Sequence, residues 1–168
     1  MSRSADVWTP VYVALGSNLA DPVGQLRRAA ASLSALRATR LVALSRLYVN
    51  PPLGVVEQPD FVNAVAGLVT RLDPAEFLAE LQAIEREQGR RPGDGQRWGP
   101  RVIDLDLLMH GLSCCHEAAL VLPHPGIAQR NFVLFPLLEI APAVEIPGLG
   151  TVAALATRLD REQLRPVH

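Results

Sequence analysis

The stretch Phe61-Val62-Asn63-Ala64-Val65-Ala66-Gly67-Leu68-Val69-Thr70, followed closely by Asp73-Pro74-Ala75-Glu76-Phe77, decides the fold class. Its first part alternates and is rich in valine, which predicts a strand. Its second part carries the marks of a helix start: Asp as N-cap, Pro at the first helical position and Glu at the third. The helix is expected to run to about Gln88, with Phe77, Leu81 and Ile84 facing inward and Gly89 ending it. Downstream, residues 102–109 read as another strand. Upstream, residues 11–15 are a short apolar run that stops at Gly16-Ser17-Asn18, a strand entering a turn. A helix follows, with Asp21 as N-cap, Pro22 in its first turn and Val23, Leu26, Ala30 and Leu33 on one face. Residues 41–48 suit a second strand. Residues 50–54 exclude regular structure, because two prolines fix φ and remove donors.

The resulting order, β-α-β-β-α-β, predicts an α+β chain of ferredoxin-like type, an antiparallel four-stranded sheet with two helices on one face. C-terminal additions follow: a turn at Pro123-His124-Pro125-Gly126, a helix over residues 131–140, and a loosely patterned tail with a short helix near 152–159. No internal repeat or long linker divides the chain, so residues 1–168 are expected to be a single domain with a frayed N-terminus over 1–10.

Composition narrows the function classes. The net charge is −1, so the basic surplus of a nucleic-acid binder is missing. All 16 basic residues are Arg, which excludes a P-loop, since that motif needs a Lys on the phosphates. Phosphate chemistry here would run on Arg, backbone amides and metal. A genome that replaces Lys everywhere would give the same composition. The two cysteines, Cys114 and Cys115, are adjacent and form neither a disulfide framework nor a zinc spacing. With no signal-peptide h-region and no membrane-length apolar run, the expected setting is the cytoplasm.

Asp104-Leu105-Asp106 lies inside the last apolar strand. Alternation puts both carboxylates on one face, their Cα atoms about 7 Å apart. Two close carboxylates repel and need a positive partner. Magnesium, held by one or two carboxylates plus substrate phosphates, is one; neighbouring arginines are another. The preceding segment favours phosphate chemistry. Arg90, Arg91, Arg97 and Arg101 fall within 12 residues, among Pro92, Gly93, Gly95 and Gly99. A mobile cationic loop beside a metal site is what polyphosphate transfer uses. A solvated basic loop would look the same, and with only Trp98 aromatic within it, stacking on nucleic acid is poorly served.

Several motifs in register resemble the hydroxymethyldihydropterin pyrophosphokinases: Tyr12-Val-Ala-Leu-Gly16-Ser17-Asn18; Pro51-Pro-Leu-Gly54 with Gln58-Pro-Asp-Phe61-Val-Asn63; Gly89-Arg90 with Arg97-Trp98-Gly-Pro-Arg101-Val-Ile-Asp104-Leu-Asp106; and Pro123-His124-Pro125 with Arg130-Asn-Phe132. The resemblance implies transfer of pyrophosphate from ATP, as co-substrate, to the hydroxymethyl group of a dihydropterin. It implies two magnesium ions on Asp104 and Asp106, with Arg90 and Arg101 handling phosphate. It implies nucleotide contacts from Glu85, His124 and Arg130, and from Arg97 and Trp98 on a closing loop. It further implies a pterin site at Asn50, Pro51, Leu53, Phe61, Asn63 and Phe132, with the two phenylalanines flanking the ring. Asn50 stands where the family commonly has Thr, and Phe61 where Tyr is also found. The expected partners are small molecules, with no nucleic acid and no membrane, and the expected state is a monomer. The alternatives are a non-catalytic ligand-binding module on the same fold, which would not need an aspartate pair beside four arginines, and a nucleic-acid-binding ferredoxin-like domain, which would require sheet-face aromatics and a basic surplus that the sequence does not supply.

Overall fold

The computed structural model describes residues 7–54, 56–91 and 99–168. Strand β1 (Thr9–Ser17) leads to helix α1 (Pro22–Ser34), then β2 (Thr39–Leu44), β3 (Tyr48–Asn50), β4 (Phe61–Thr70), helix α2 (Pro74–Glu87) and β5 (Asp104–His110). A small hairpin, β6 (Cys115–His116) and β7 (Val121–Leu122), precedes helix α3 (Asn131–Ile140). The chain closes with hairpin β8 (Glu145–Ile146) and β9 (Gly150–Thr151), helix α4 (Val152–Ala156) and strand β10 (Arg165–Pro166).

The main sheet has six strands in the order β10-β3-β4-β1-β5, with β2 also pairing with β4. Every one of these pairings is antiparallel. Alternation sends Val11, Val13 and Leu15 of β1, Val62, Ala64, Ala66 and Leu68 of β4, and Leu105 and Leu107 of β5 to one face, against Leu26, Ala29 and Leu33 of α1 and Phe77, Leu81 and Ile84 of α2. The opposite face holds Tyr12, Ala14, Val65 and Leu108 beneath α3 and α4. The expected two-helix layer is therefore present, and a second helical layer covers the other side. Its cause is the composition of α3: Val133, Leu134, Phe135 and Leu137 are all buried, and a helix so uniformly apolar needs cover on most of its circumference.

Local chemistry explains the boundaries. Asp73 accepts from the Glu76 N–H at 2.8 Å while Glu76 accepts from the Asp73 N–H at 3.1 Å, a reciprocal cap at the start of α2. Gly89, at φ 106°, takes the left-handed conformation just past α2. The single strand expected over 41–48 is two strands. At the break, the Ser45 hydroxyl accepts the Val65 N–H at 2.9 Å, so a side chain replaces a ladder carbonyl. Asn50 still pairs with Phe61, and regular structure ends only at Pro51. Val102 lies outside β5, which begins at Asp104 and reaches His110.

The N-terminal expectation also needs correction. Residues 1–6 lie outside the described residues, but Thr9 and Pro10 belong to β1, paired with Thr70 and Val69. The guanidinium groups of Arg40 and Arg71 lie 4.7 and 4.8 Å from the Trp8 ring centre and hold that edge down. The tail is more ordered than its pattern suggests: α4 is capped by Thr151 and is shorter than expected, and β10 adds a strand beside β3.

The packing of α2 predicts unequal costs. Phe77→Ala should lower unfolding free energy by about 3–5 kcal/mol through the cavity it leaves. Asp73→Ala should cost about 1 kcal/mol, the value of a cap. Urea denaturation at unchanged m-value checks both, and a Phe77→Ala loss near that of the cap would contradict this packing.

Candidate active site

The site lies where three strands run side by side on the α3 face. In register, Gly16 of β1 is opposite Asn63 of β4 on one side and Asp104 of β5 on the other. Ala14 is likewise flanked by Val65 and Asp106. Neighbouring strands are about 4.8 Å apart, so Asn63 and Asp104 sit about 10 Å apart across one intervening strand. That strand offers small residues there. A Cβ on Gly16 would lie 2.8 Å from Asn63 Oδ1, so the floor is open because this position has no side chain.

Above the floor is a cavity of about 310 Å³. Its walls include Asn50, Leu53, Phe61 and Asn63 at one end, Arg101, Asp104, Asp106, His124 and Arg130 at the other, and Phe132 and Val133 from α3. Ten expected residues thus converge on one space. Pro51, Glu85 and Arg90 are not on its wall. Arg97 and Trp98 lie outside the described residues.

Asp104 and Asp106 are both partly exposed, while Leu105 and Leu107 between and beyond them are buried in the opposite layer. Arg90 Nη1 donates to Asp104 Oδ1 at 2.6 Å and also pairs with the buried Glu85 carboxylate. Glu85 thereby fixes an arginine that would otherwise be free to swing. Burial, and next the Asp104 carboxylate, push the Asp106 carboxyl up to about 6, against the pull of Arg130, Arg90 and Arg101.

His124 Nε2 stands 4.0 Å from Asp106 Oδ2. The Gly126 N–H donates to His124 Nδ1 at 3.0 Å, so Nδ1 carries no proton and the neutral ring has its N–H on Nε2, toward the aspartate. Burial, then Arg130, lower the His124 pKa and favour that neutral form.

The donor set suits a magnesium ion shared with phosphates. Asp104 and Asp106 offer hard oxygen ligands on one face of β5, both partly exposed, with Asp104 also paired to Arg90. Among the described residues no group of three or more His, Cys, Asp or Glu could enclose an ion, so its other ligands would come from substrate and water.

Asn18 has a structural role that its strand-end position in the sequence did not reveal. It is 2% exposed; its Nδ2 donates to Gln58 Oε1 and to the Pro59 carbonyl, both at 2.9 Å, and its Oδ1 accepts the Arg101 N–H at 2.8 Å. One buried amide therefore ties the segment before Phe61 to the residue that carries Arg101. A Gly-Ser-Asn turn is the only sign of this in sequence.

At the end lined by Leu53 and Phe61, Asn50 Nδ2 donates to the Pro51 carbonyl at 3.1 Å, and Asn63 Nδ2 donates to Asn50 Oδ1 at 2.5 Å. Both side chains are buried.

Comparison with known proteins agrees with this arrangement. The profile of the family described as 7,8-dihydro-6-hydroxymethylpterin-pyrophosphokinase (HPPK) matches residues 12–142. The 2-amino-4-hydroxy-6-hydroxymethyldihydropteridine pyrophosphokinase of Pseudomonas aeruginosa is 50% identical over 137 residues, covering 82% of this chain and 83% of that protein. The enzyme of the same name from Haemophilus influenzae is 45% identical over 144 residues, 86% of this chain and 89% of that protein. A crystal structure of Plasmodium falciparum HPPK-DHPS superposes with a TM-score of 0.77 at 14% identity and shares the fold; it covers 96% of this chain, which spans 49% of that longer one. The match from β1 through α3 contains every wall of the cavity, and the chain belongs to the 7,8-dihydro-6-hydroxymethylpterin-pyrophosphokinase family.

Proposed function

We propose that this chain transfers the pyrophosphoryl group of ATP to the hydroxymethyl oxygen of 6-hydroxymethyl-7,8-dihydropterin, giving AMP and the pterin diphosphate, a step of folate biosynthesis. The observation that carries this reading is the single cavity with Phe61, Asn63 and Phe132 at one end and Asp104, Asp106, Arg101 and Arg130 at the other. A flat heterocycle suits the aromatic and amide end, and a triphosphate suits the charged end.

Magnesium, two ions in this reading, would be held by Asp104 and Asp106 and would supply Lewis-acid neutralisation of phosphate charge and a lowered pKa for the attacking hydroxyl. The chain's own residues do the rest. Asn63 hydrogen-bonds the polar edge of the pterin, and Phe61, Phe132, Leu53 and Asn50, the last held by the Pro51 carbonyl, confine the ring, which aims the hydroxymethyl oxygen at the charged end. That oxygen attacks the β-phosphorus. The bond from the β-phosphorus to the oxygen bridging the α-phosphorus breaks, AMP leaves with that oxygen, and the hydroxyl proton passes to solvent. Arg101 and Arg130 face the charge that spreads over the phosphate oxygens, and Arg90, aligned by Glu85, can move from Asp104 onto phosphate. His124, neutral with its N–H on Nε2 beside Asp106, offers that donor to the nucleotide phosphates. Arg97 and Trp98 belong, in this reading, to a loop that closes over ATP.

The sheet order supports a ferredoxin-like reading of the core: β5, β1 and β4 are side by side, β2 and β3 share the next position, and all pairings are antiparallel. Residues 1–168 are proposed as one domain acting as a cytoplasmic monomer. No helix among the described residues is long and apolar enough to cross a membrane.

AMP release from ATP in the presence of the dihydropterin and magnesium tests the reading, and no AMP with that acceptor would remove it. Asp104→Asn or Asp106→Asn should each lower kcat about a thousandfold or more, the several kcal/mol that such an ion contributes, with far-UV circular dichroism unchanged. Normal turnover by either variant would refute the metal assignment. Arg101→Ala should lower kcat about a hundredfold, and unchanged kinetics would sink its phosphate role.

A further inference from the structure

The acceptor end of the cavity is built from three segments: the end of β3 with Asn50, the start of β4 with Phe61, and the start of α3 with Phe132 and Val133. The first and third of these are hydrogen-bonded to residues 160–167, well beyond residue 142, where the family match ends. Asn131, the first residue of α3, donates from Nδ2 to the carbonyls of Asp160 and Glu162 at 3.1 and 3.3 Å. Arg165 and Pro166 pair with Val49 and Tyr48 of β3, and the Val167 N–H donates to the Leu47 carbonyl at 2.8 Å. Arg165 also stands 3.6 Å from Asp60, the residue before Phe61.

The two ends of α3 are held differently. At its C-terminal end, Glu139 accepts from the Tyr48 hydroxyl at 2.5 Å and from the Arg46 N–H at 2.9 Å, which fixes it to β3 and the segment before it. At its N-terminal end the N-cap residue makes no side-chain capping bond, and the Asn131 amide tethers the helix to the tail. The Arg161 guanidinium lies 4.4 Å from the Phe135 ring centre, and Leu164 packs into the same apolar cluster as α3. The tail thus closes a loop of contacts: from the start of α3, through residues 160–164, to the edge of β3. The exposed Arg165–Asp60 pair adds little to it, because solvent screens such pairs.

We infer that residues 160–167 are a brace that sets the width of the acceptor pocket, with Asn131 as its positioning residue. This rests on the pyrophosphokinase reading above. Misplacement of an aromatic wall costs binding of the molecule it confines, while Asp104, Asp106 and Arg101 of the charged end, carried by β5 and the segment that Asn18 ties, stay in place; Arg130, beside Asn131 at the start of α3, shares the displacement.

Initial-rate kinetics with each substrate varied in turn, on the full chain, tests the brace. The informative variant is Asn131→Asp. It removes the donor to both tail carbonyls, yet a carboxylate in the first turn favours the helix itself. A merely structural role predicts no loss for it. The brace predicts that Asn131→Asp and Asn131→Ala raise KM for the dihydropterin about five- to tenfold, the scale of a lost positioning hydrogen bond, with a clearly smaller rise in KM for ATP, because Asp104, Asp106 and Arg101 do not sit on α3. A chain ending at Leu159 should show a larger rise in the same constant; if it does not fold, Asn131→Asp carries the test alone. An unchanged dihydropterin KM in Asn131→Asp and Asn131→Ala would overturn the brace, as would equal rises for both substrates. Absence of AMP from the unaltered chain is a different result, and it would remove the activity along with the brace.

Discussion

Strand β1 pairs on both sides along its length, with β4 and with β5, and the functional arrangement depends on that pairing. It fixes the register that puts Asn63, Gly16 and Asp104 in one row. A slip of one residue in either partner would turn its side chains to the α1–α2 layer, where a buried carboxylate or amide has no partner. The packing layer enforces the register: Leu105, Leu107, Val62 and Ala64 are buried only when the polar residues between them face the cavity. Hydrophobic burial on one face of the sheet therefore specifies where the charged groups stand on the other.

Charge in the site is balanced by connection more than by number. Glu85, on α2, reaches Arg90, which reaches Asp104 on β5, so a helix of one layer restrains a charge at the far edge of the sheet. Burial and the Asp104 carboxylate raise the Asp106 pKa against the pull of Arg130, Arg90 and Arg101. A carboxylate whose charged form is disfavoured in the free site gains most from a cation that arrives with a substrate. The absence of Lys from the chain fits the same logic, since every cation at the site is a planar guanidinium able to grip two oxygens.

Much of this was legible in the sequence, for identifiable reasons. The Asp73-Pro74-Ala75-Glu76 start of α2 and the alternation through Asp104-Leu105-Asp106 are local signals, and local signals survive folding. The long motif blocks carried the cavity, because ten of the expected residues meet there. What stayed hidden depends on partners distant in sequence. Ser45 breaks a strand only because Val65 is opposite it. Asn18 gains its role from Gln58, Pro59 and Arg101, about 40 and 80 residues away. Trp8 is held by Arg40 and Arg71, so the N-terminal edge looked frayed when read alone. The two-residue strands β8, β9 and β10 are too short to show a period.

The acceptor end shows how one covalent detail propagates. The Pro51 carbonyl can only accept, so the Asn50 amide must present Nδ2 to it and turn Oδ1 toward Asn63. Asn63 must then donate from Nδ2, which turns its own Oδ1 over Gly16. Both amide orientations are thus determined by hydrogen-bond complementarity, beginning at a proline-rich turn outside the sheet. The consequence is a floor that presents a carbonyl oxygen and suits a ring or amino N–H over a ligand acceptor. Asn at position 50 serves this purpose because it can donate and accept at once within one planar group. The same geometry explains why residue 16 is glycine, since any Cβ there would occupy the space that the Asn63 oxygen needs.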